Sequence, residues 1–273
     1  DLATGKKRGG LALTEPSGGS DVAGIKTSAM RDGEEYVING TKQFITNGQH
    51  GNVFLLAAKT DTEINPQHKG ISAFIAEKGP GLTSGAKLNK LGYRGIDTAE
   101  LVLKDYRISS DELIGNREGE GFYQIMDGLE TGRINVAARA VGVAQAAFDA
   151  AIMYSQQRET FGRAISTRQS IQNMLADMGT KIHAARLMTN DAARRKDRGE
   201  RVDVEAGMAK LYASEICGEV TMDAMRIHGG YGFIKDQPVE RYYRDAPLMI
   251  IGEGTNEIQR LVIAKHLLKR YEV

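Results

Sequence analysis

One carboxylate in this chain sits between two glycines, in the run Gly252-Glu253-Gly254-Thr255. Before it lies the apolar segment Leu248 to Ile251. After it a helix begins, with Ile258, Leu261, Leu268 and Tyr271 at helical spacing. The pattern predicts Asn256 as the helix cap, with Gln259 three residues on returning a bond to the cap's N–H. Flanking glycines let the backbone turn sharply and let a ligand come close to it. An acid held there among apolar neighbours is partly desolvated, so its pKa rises toward that of a useful general base. The plain alternative is a helix-initiating turn with a solvated glutamate.

Four further stretches carry residue types that could handle a polar ligand. Leu11-Ala12-Leu13-Thr14-Glu15-Pro16-Ser17-Gly18-Gly19-Ser20-Asp21 combines hydroxyls with flexible backbone, which suits the edge of a polar cofactor, although alone it reads as an ordinary turn. Phe44-Ile45-Thr46-Asn47-Gly48 brings an aromatic and a hydroxyl to a strand end. Arg158-Glu159-Thr160-Phe161-Gly162-Arg163, with Gln169 after it, places two arginines near helix ends, where they suit a phosphate or simply face water. His228-Gly229-Gly230-Tyr231-Gly232 contains a lone histidine, better read as structural than as a ligand. No His, Asp or Glu arrangement has metal spacing, and no Walker loop, dinucleotide fingerprint or nucleophile elbow occurs.

The elements that must position these stretches change character along the chain. Up to about residue 110 the sequence reads as β structure. Glu35 to Ile38 and Thr41 to Thr46 flank Asn39-Gly40, a strong hairpin signal. Asn52 to Lys59 and Gly70 to Glu77 are apolar, β-rich runs, and Thr98 to Ile108 alternates, with Leu101 and Leu103 on one face. From about Gly119 the period becomes 3.6. Phe122 to Gln157, Thr167 to Arg198, Val204 to Ile227 and the segment after Glu253 predict four long helices with short joints. The expected fold is α+β and multidomain: an antiparallel β-barrel or sandwich over residues 1–115, then a four-helix bundle over residues 116–273. The methionines at 174, 178 and 188 read as core.

Of the 273 residues, 36 are Lys or Arg and 35 are Asp or Glu, a net charge of +1 that argues against a general nucleic-acid or membrane-surface binder. The single cysteine, Cys217, excludes an intrachain disulfide and suits a reducing compartment. No run reads as apolar and long enough to span a bilayer, and no targeting segment is visible. The expected location is the cytoplasm of a bacterium or the matrix of a mitochondrion.

Taken together and in this order, the five stretches resemble the acyl-CoA dehydrogenase family. The matching motifs are Thr14-Glu15-Pro16 with Gly19-Ser20-Asp21, Phe44-Ile45-Thr46-Asn47-Gly48, Arg158 with Phe161-Gly162, Gly229-Gly230-Tyr231-Gly232, and Glu253-Gly254-Thr255. The resemblance implies FAD held between a β domain and a helical bundle. It implies that Glu253 removes the α-proton of an acyl-CoA thioester while the β-hydride passes to flavin N5. Leu11, Leu13, Thr14, Ser20, Phe44, Ile45 and Thr46 would line the flavin, and Thr255 and Glu257 would touch the cofactor. Arg158, Phe161, Gln169, Gly229 and Gly230 would hold the pyrophosphate and adenine of a neighbouring subunit's FAD. Ser20, Glu130, Arg133 and Gly254 would contact the acyl-CoA. Electrons would leave to an electron-transfer flavoprotein, and the assembly would be a homotetramer, a dimer of dimers.

Family members begin with a helical domain of about a hundred residues, and this chain starts just before the β domain. If the protein itself starts at Asp1, the expectation is an uncovered apolar face with Phe122, Ile125 and Met126 as candidates, an open acyl pocket, weak FAD binding, poor turnover, and recovery of activity when a helical domain is restored. The family's oxidase branch is a competing enzyme reading. A DNA-binding or non-catalytic interaction flavoprotein of the same fold is a competing reading from another class.

Overall fold

The computed structural model describes residues 1–272. It divides into two compact units, residues 1–128 and residues 129–273. The first unit is one seven-stranded mixed sheet. Its strands are β1 (Gly9–Ala12), β2 (Ser28–Asp32), β3 (Glu35–Thr46), β4 (Val53–Lys59), β5 (Ile71–Glu77), β6 (Leu82–Lys87) and β7 (Thr98–Ser109). They run in the order β1-β4-β2-β3-β7-β6, with β5 on β4. Most pairings are antiparallel, while β1 and β2 each meet β4 in parallel. Period-2 alternation fills the core: Tyr36, Ile38, Phe54, Leu56, Phe74, Leu101 and Leu103 are all buried.

The Asn39-Gly40 turn does not form. β3 runs straight through it, and a register shift between Ile38 and Gly40 marks a bulge against β7. Asn39 spends its side chain across the sheet on Asp105, accepting from its N–H at 2.8 Å. Gly40 is needed for space, since a Cβ there would lie 2.3 Å from Thr27 Oγ1. The hairpin lies earlier, where Gly33 has φ +64° and Asp32 pairs with Glu35.

The second unit is helical. α1 (Gly121–Gln157) begins in the first unit, and the division falls within it, after Gly128, rather than before it. Its first turns belong with the sheet because Gly121 lies against the Ser72–Ala73 backbone and Gln124 donates to the Ile114 carbonyl at 3.0 Å. The short hairpin β8 (Glu159–Thr160) and β9 (Arg163–Ala164) leads into α2 (Gln169–Asp197), α3 (Asp203–His228), the short α4 (Gly230–Phe233), α5 (Val239–Asp245) and α6 (Pro247–Ile251), and the closing α7 (Asn256–Arg270). α2 buries Met178, Ile182 and Ala185 on one face, and Met178 is fully enclosed, a core methionine as expected.

Two sequence expectations fail here. α1 meets the length and composition of a bilayer-crossing helix, because it is rich in Ala and Val. The same composition suits a bundle core helix, and its Glu130 and Arg133 are buried in the helical unit. Ile125, expected on an uncovered face, is 2% exposed.

Candidate active site

Glu253 occupies the joint between α6 and α7. α6 closes with Gly252 N–H donating to Leu248 O at 2.8 Å. Glu253 then takes φ +58° and Gly254 φ +82°, both left-handed. For a residue with a Cβ this conformation costs about 1–2 kcal/mol and persists only where the surroundings enforce it. The helix cap is Thr255, not Asn256: its hydroxyl accepts from Ile258 N–H at 3.4 Å. Asn256 is already in the helix and 1% exposed. Gln259 does not return to a cap N–H. Its Nε2 donates to the carbonyls of Glu253 (3.3 Å) and Gly254 (3.2 Å), tying the turn from below.

The Glu253 carboxylate lies against the backbone of α1. A Cβ placed on Gly132 would stand 2.7 Å from its Oε2, so a glycine is what lets the acid settle there. Burial pushes the Glu253 pKa up, against the pull of Arg139, Arg133 and Lys210. Arg133 is 8% exposed, and its Nε is buried without a hydrogen-bond partner among the described residues. Burial lowers its pKa, with Asp203, Glu130 and Glu253 opposing. Such an orphaned donor beside a desolvated acid is a place for a ligand's polar atom. Glu130 is occupied structurally: its carboxylate accepts from Lys196 Nζ at 2.8 Å and from Val202 N–H, at the start of α3. Glu257 is exposed at the start of α7, and a bond to its own N–H, then one to Thr255, holds its carboxyl below the usual range.

In the sheet unit the two polar motifs are adjacent. Gly10 lies against Thr46, where a Cβ would meet the carbonyl oxygen at 2.3 Å, and Gln43 N–H donates to Thr14 O at 2.8 Å. The loop after β1 is anchored by a buried ion pair. Lys42 Nζ donates to Glu15 Oε1 (2.7 Å) and Leu13 O (3.2 Å), and Glu15 also accepts from Lys26 and Thr27 N–H. Burial pushes Glu15 up, but Lys42, Thr27 and Lys26 outweigh it and hold its carboxyl below the usual range. Burial pulls Lys42 down to about 8 against the attraction of Glu15. Phe44 has φ +60° and is 65% exposed, at a register shift between Lys42 and Ile45. An exposed aromatic on a left-handed backbone is a candidate ligand contact rather than part of the core. Thr46 and Ser20 are exposed and Leu11 and Thr14 half-buried, all available at the surface of this unit. Leu13 and Ile45 are buried, so only their backbones can meet a ligand.

In the helical unit a groove of about 790 Å³ runs past the end of α1 and the β8–β9 turn. It is lined by Arg158, Phe161, Arg168, His228, Gly229 and Gly230, among others. Phe161 is 95% exposed with φ +51°, and Arg168 lies over its ring at 5.4 Å. Gly229 has φ +60°, and no described atom lies within 4 Å of where a Cβ on Gly229 or Gly230 would be. Two guanidinium groups, open glycine backbone and flat aromatic faces fit a dinucleotide's diphosphate and base. Gln169, at the start of α2, is exposed and outside the lining.

Sequence reasoning missed Gly132, Lys210, Arg168, and the Glu15–Lys42 pair. A glycine inside a long helix is the signal for Gly132. A lysine between Ala209 and Leu211 in an apolar helix, one turn before Ser214, is the signal for Lys210.

The chain thus has a seven-stranded sheet unit and a helical unit, the second carrying a desolvated, glycine-flanked carboxylate and a groove lined by cations. The family model for the acyl-CoA dehydrogenase middle domain matches residues 10–106, and that for the acyl-CoA dehydrogenase C-terminal domain matches residues 119–268. The chain belongs to the acyl-CoA dehydrogenase family. It is 47% identical over 271 residues to the mitochondrial short-chain specific acyl-CoA dehydrogenase of Bos taurus, covering 99% of this chain and 65% of that one. It is 42% identical to the caffeyl-CoA reductase-Etf complex subunit CarC of Acetobacterium woodii, over 98% of this chain and 70% of the relative. The solved butyryl-CoA dehydrogenase of Megasphaera elsdenii superposes with a TM-score of 0.95 at 42% identity, covering 98% of this chain and 70% of that one. The chain thus spans about two thirds of the length of these relatives.

Proposed function

We propose that this chain carries the flavin- and thioester-handling part of an acyl-CoA dehydrogenase, which converts an acyl-CoA to its trans-2-enoyl-CoA. The observation that carries this reading is Glu253, a carboxylate whose pKa is raised by burial, on a left-handed turn against Gly132. Glu253 takes the α-proton. Arg139, Arg133 and Lys210 oppose that upward shift and favour the ionised form, the one that can accept a proton. Glu253 lies between α6 and α7, outside both helices, and by the family resemblance its backbone N–H would donate to the thioester oxygen as negative charge develops there. Bound FAD supplies the acceptor for the β-hydride. Thr14, Ser20, Phe44 and Thr46 would hold its flavin end, and Arg158, Phe161, Gly229 and Gly230 would hold the diphosphate and adenine of a neighbouring subunit's copy. That division asks for at least a dimer and fits a tetramer, so light scattering of a strictly monomeric, FAD-replete species contradicts it. Electrons leave to an electron-transfer flavoprotein, in keeping with a relative named as an Etf complex subunit.

The experiment is anaerobic titration of the FAD-loaded full chain with saturated acyl-CoA thioesters of increasing length. Bleaching of the oxidised flavin band by at least one of them is the expected result. No bleaching with any thioester, in protein that holds FAD, overturns the reading.

A further inference from the structure

A buried lysine that no chemical step requires lies beneath the catalytic turn. Lys210 sits in the middle of α3 and is 0% exposed. Its Nζ donates three bonds: to Ile250 O (2.9 Å), to Gly254 O (2.9 Å) and to Asn256 Oδ1 (2.7 Å). Those acceptors bracket Glu253, one on α6, one in the turn and one at the start of α7. Asn256 is fixed in turn by Ser214 and Glu215 of α3, its Nδ2 donating at 3.0 and 3.3 Å. An ammonium has three donors and no acceptor, so all of Lys210's capacity is used on this one joint.

Burying an ammonium costs free energy unless every donor is satisfied and charge lies near. Burial lowers the Lys210 pKa to about 8, with Glu257, Glu253 and Glu215 opposing that shift and Arg133 adding to it. A bundle core needs no such group, because Leu or Met would fill the same volume without the cost. The left-handed Glu253, by contrast, needs an agent to hold it.

We propose that Lys210 is a positioning residue for the base: its ammonium clamps the carbonyls on either side of Glu253 and so sets both the carboxylate and the Glu253 N–H. The proposal rests on Glu253 being the base, but the clamp itself is testable apart from activity. The charged groups around the turn are the acids Glu253, Glu257 and Glu215 and the cations Arg133, Arg139, Lys210 and Arg260, the last paired with Glu215 at 2.6 Å. Removing Lys210 takes away a cation that pulls the Glu253 pKa down, so the acid limb of the rate profile moves to higher pH.

The test compares K210M, K210R and N256A with wild type, each as the FAD-loaded full chain. Amide hydrogen exchange is followed over residues 250–257, and flavin reduction by a bleaching acyl-CoA is followed by stopped flow across pH. In K210M we expect exchange at Gly252 to Asn256 to rise about tenfold or more, with the flanks of α3 and α7 unchanged. The limiting reduction rate falls about a hundredfold, half-saturation changes less than threefold, and the acid limb shifts upward. K210R recovers part of the rate and returns the limb toward wild type. N256A, which removes one of the three acceptors, loosens the same amides to a smaller degree and decides the matter if K210M does not fold. Wild-type exchange and wild-type rates in K210M, or in N256A where K210M fails to fold, overturn the proposal. A loosened turn in K210M alongside a fully active E253Q leaves the clamp standing and moves the base elsewhere.

Discussion

Replacing Gly132 by alanine separates catalysis from stability. The added Cβ would stand 2.7 Å from Glu253 Oε2 and 3.1 Å from its Cδ, while ordinary contact begins at 3.4 Å. The carboxylate must therefore retreat by roughly 0.7 Å, and as the end of a flexible side chain it does so without moving backbone. A displacement approaching 1 Å at a reacting group costs up to about a hundredfold in rate, so about a tenfold loss in the limiting rate of flavin reduction is expected. The fold should gain, because alanine in a helix interior is favoured over glycine by about 0.5–1 kcal/mol. The assay pairs thermal unfolding with stopped-flow reduction of the FAD-loaded protein. A Tm equal to or above wild type with the slower rate supports the geometry. Wild-type rates in G132A refute the claim that the acid works from its place against α1.

Two further outcomes follow from the other parts of the site. E15Q breaks the buried pair with Lys42 and should destabilise the sheet unit by about 3–5 kcal/mol in chemical unfolding, since a buried ammonium is left without its counter-ion. Because the folded carboxyl of Glu15 lies below the ordinary 4.5, its contribution is present above that pH and is lost as pH falls through the depressed value. E15Q should accordingly lose part of the acid sensitivity below about pH 4.5, and an unchanged acid limb of stability argues against the pair. R158A should weaken FAD retention about tenfold by equilibrium dialysis, the usual worth of a charge-assisted contact, and unchanged retention removes Arg158 from the cofactor's partners.

Periodicity made most of the fold legible. Alternation placed Leu101 and Leu103 inward, and the 3.6 period placed Met178, Ile182 and Ala185. Local turn chemistry misled where tertiary space decided. Asn39-Gly40 reads as a hairpin, yet its glycine is there to clear Thr27 and its asparagine bonds across the sheet. Asn256 reads as a cap, yet burial beside Ser214 and Lys210 draws its amide inward and leaves the cap to Thr255. Ile125 reads as open on the expectation of a missing neighbour, yet it is enclosed. The turn around Glu253 was visible because glycines on both sides carry their own signal. Its supports were not, since Gly132 and Lys210 lie 121 and 43 residues before it, and only the bundle brings them to it.

The central claim is that Glu253 is the base. The direct measurement is single-turnover flavin reduction by a bleaching acyl-CoA in E253Q, with FAD content and Tm taken on the same sample. The amide is nearly isosteric and cannot accept the α-proton. The expected result is a folded, FAD-loaded variant whose flavin stays oxidised over the wild-type time course. Reduction at a near wild-type rate contradicts it and makes Glu257 the next residue to test.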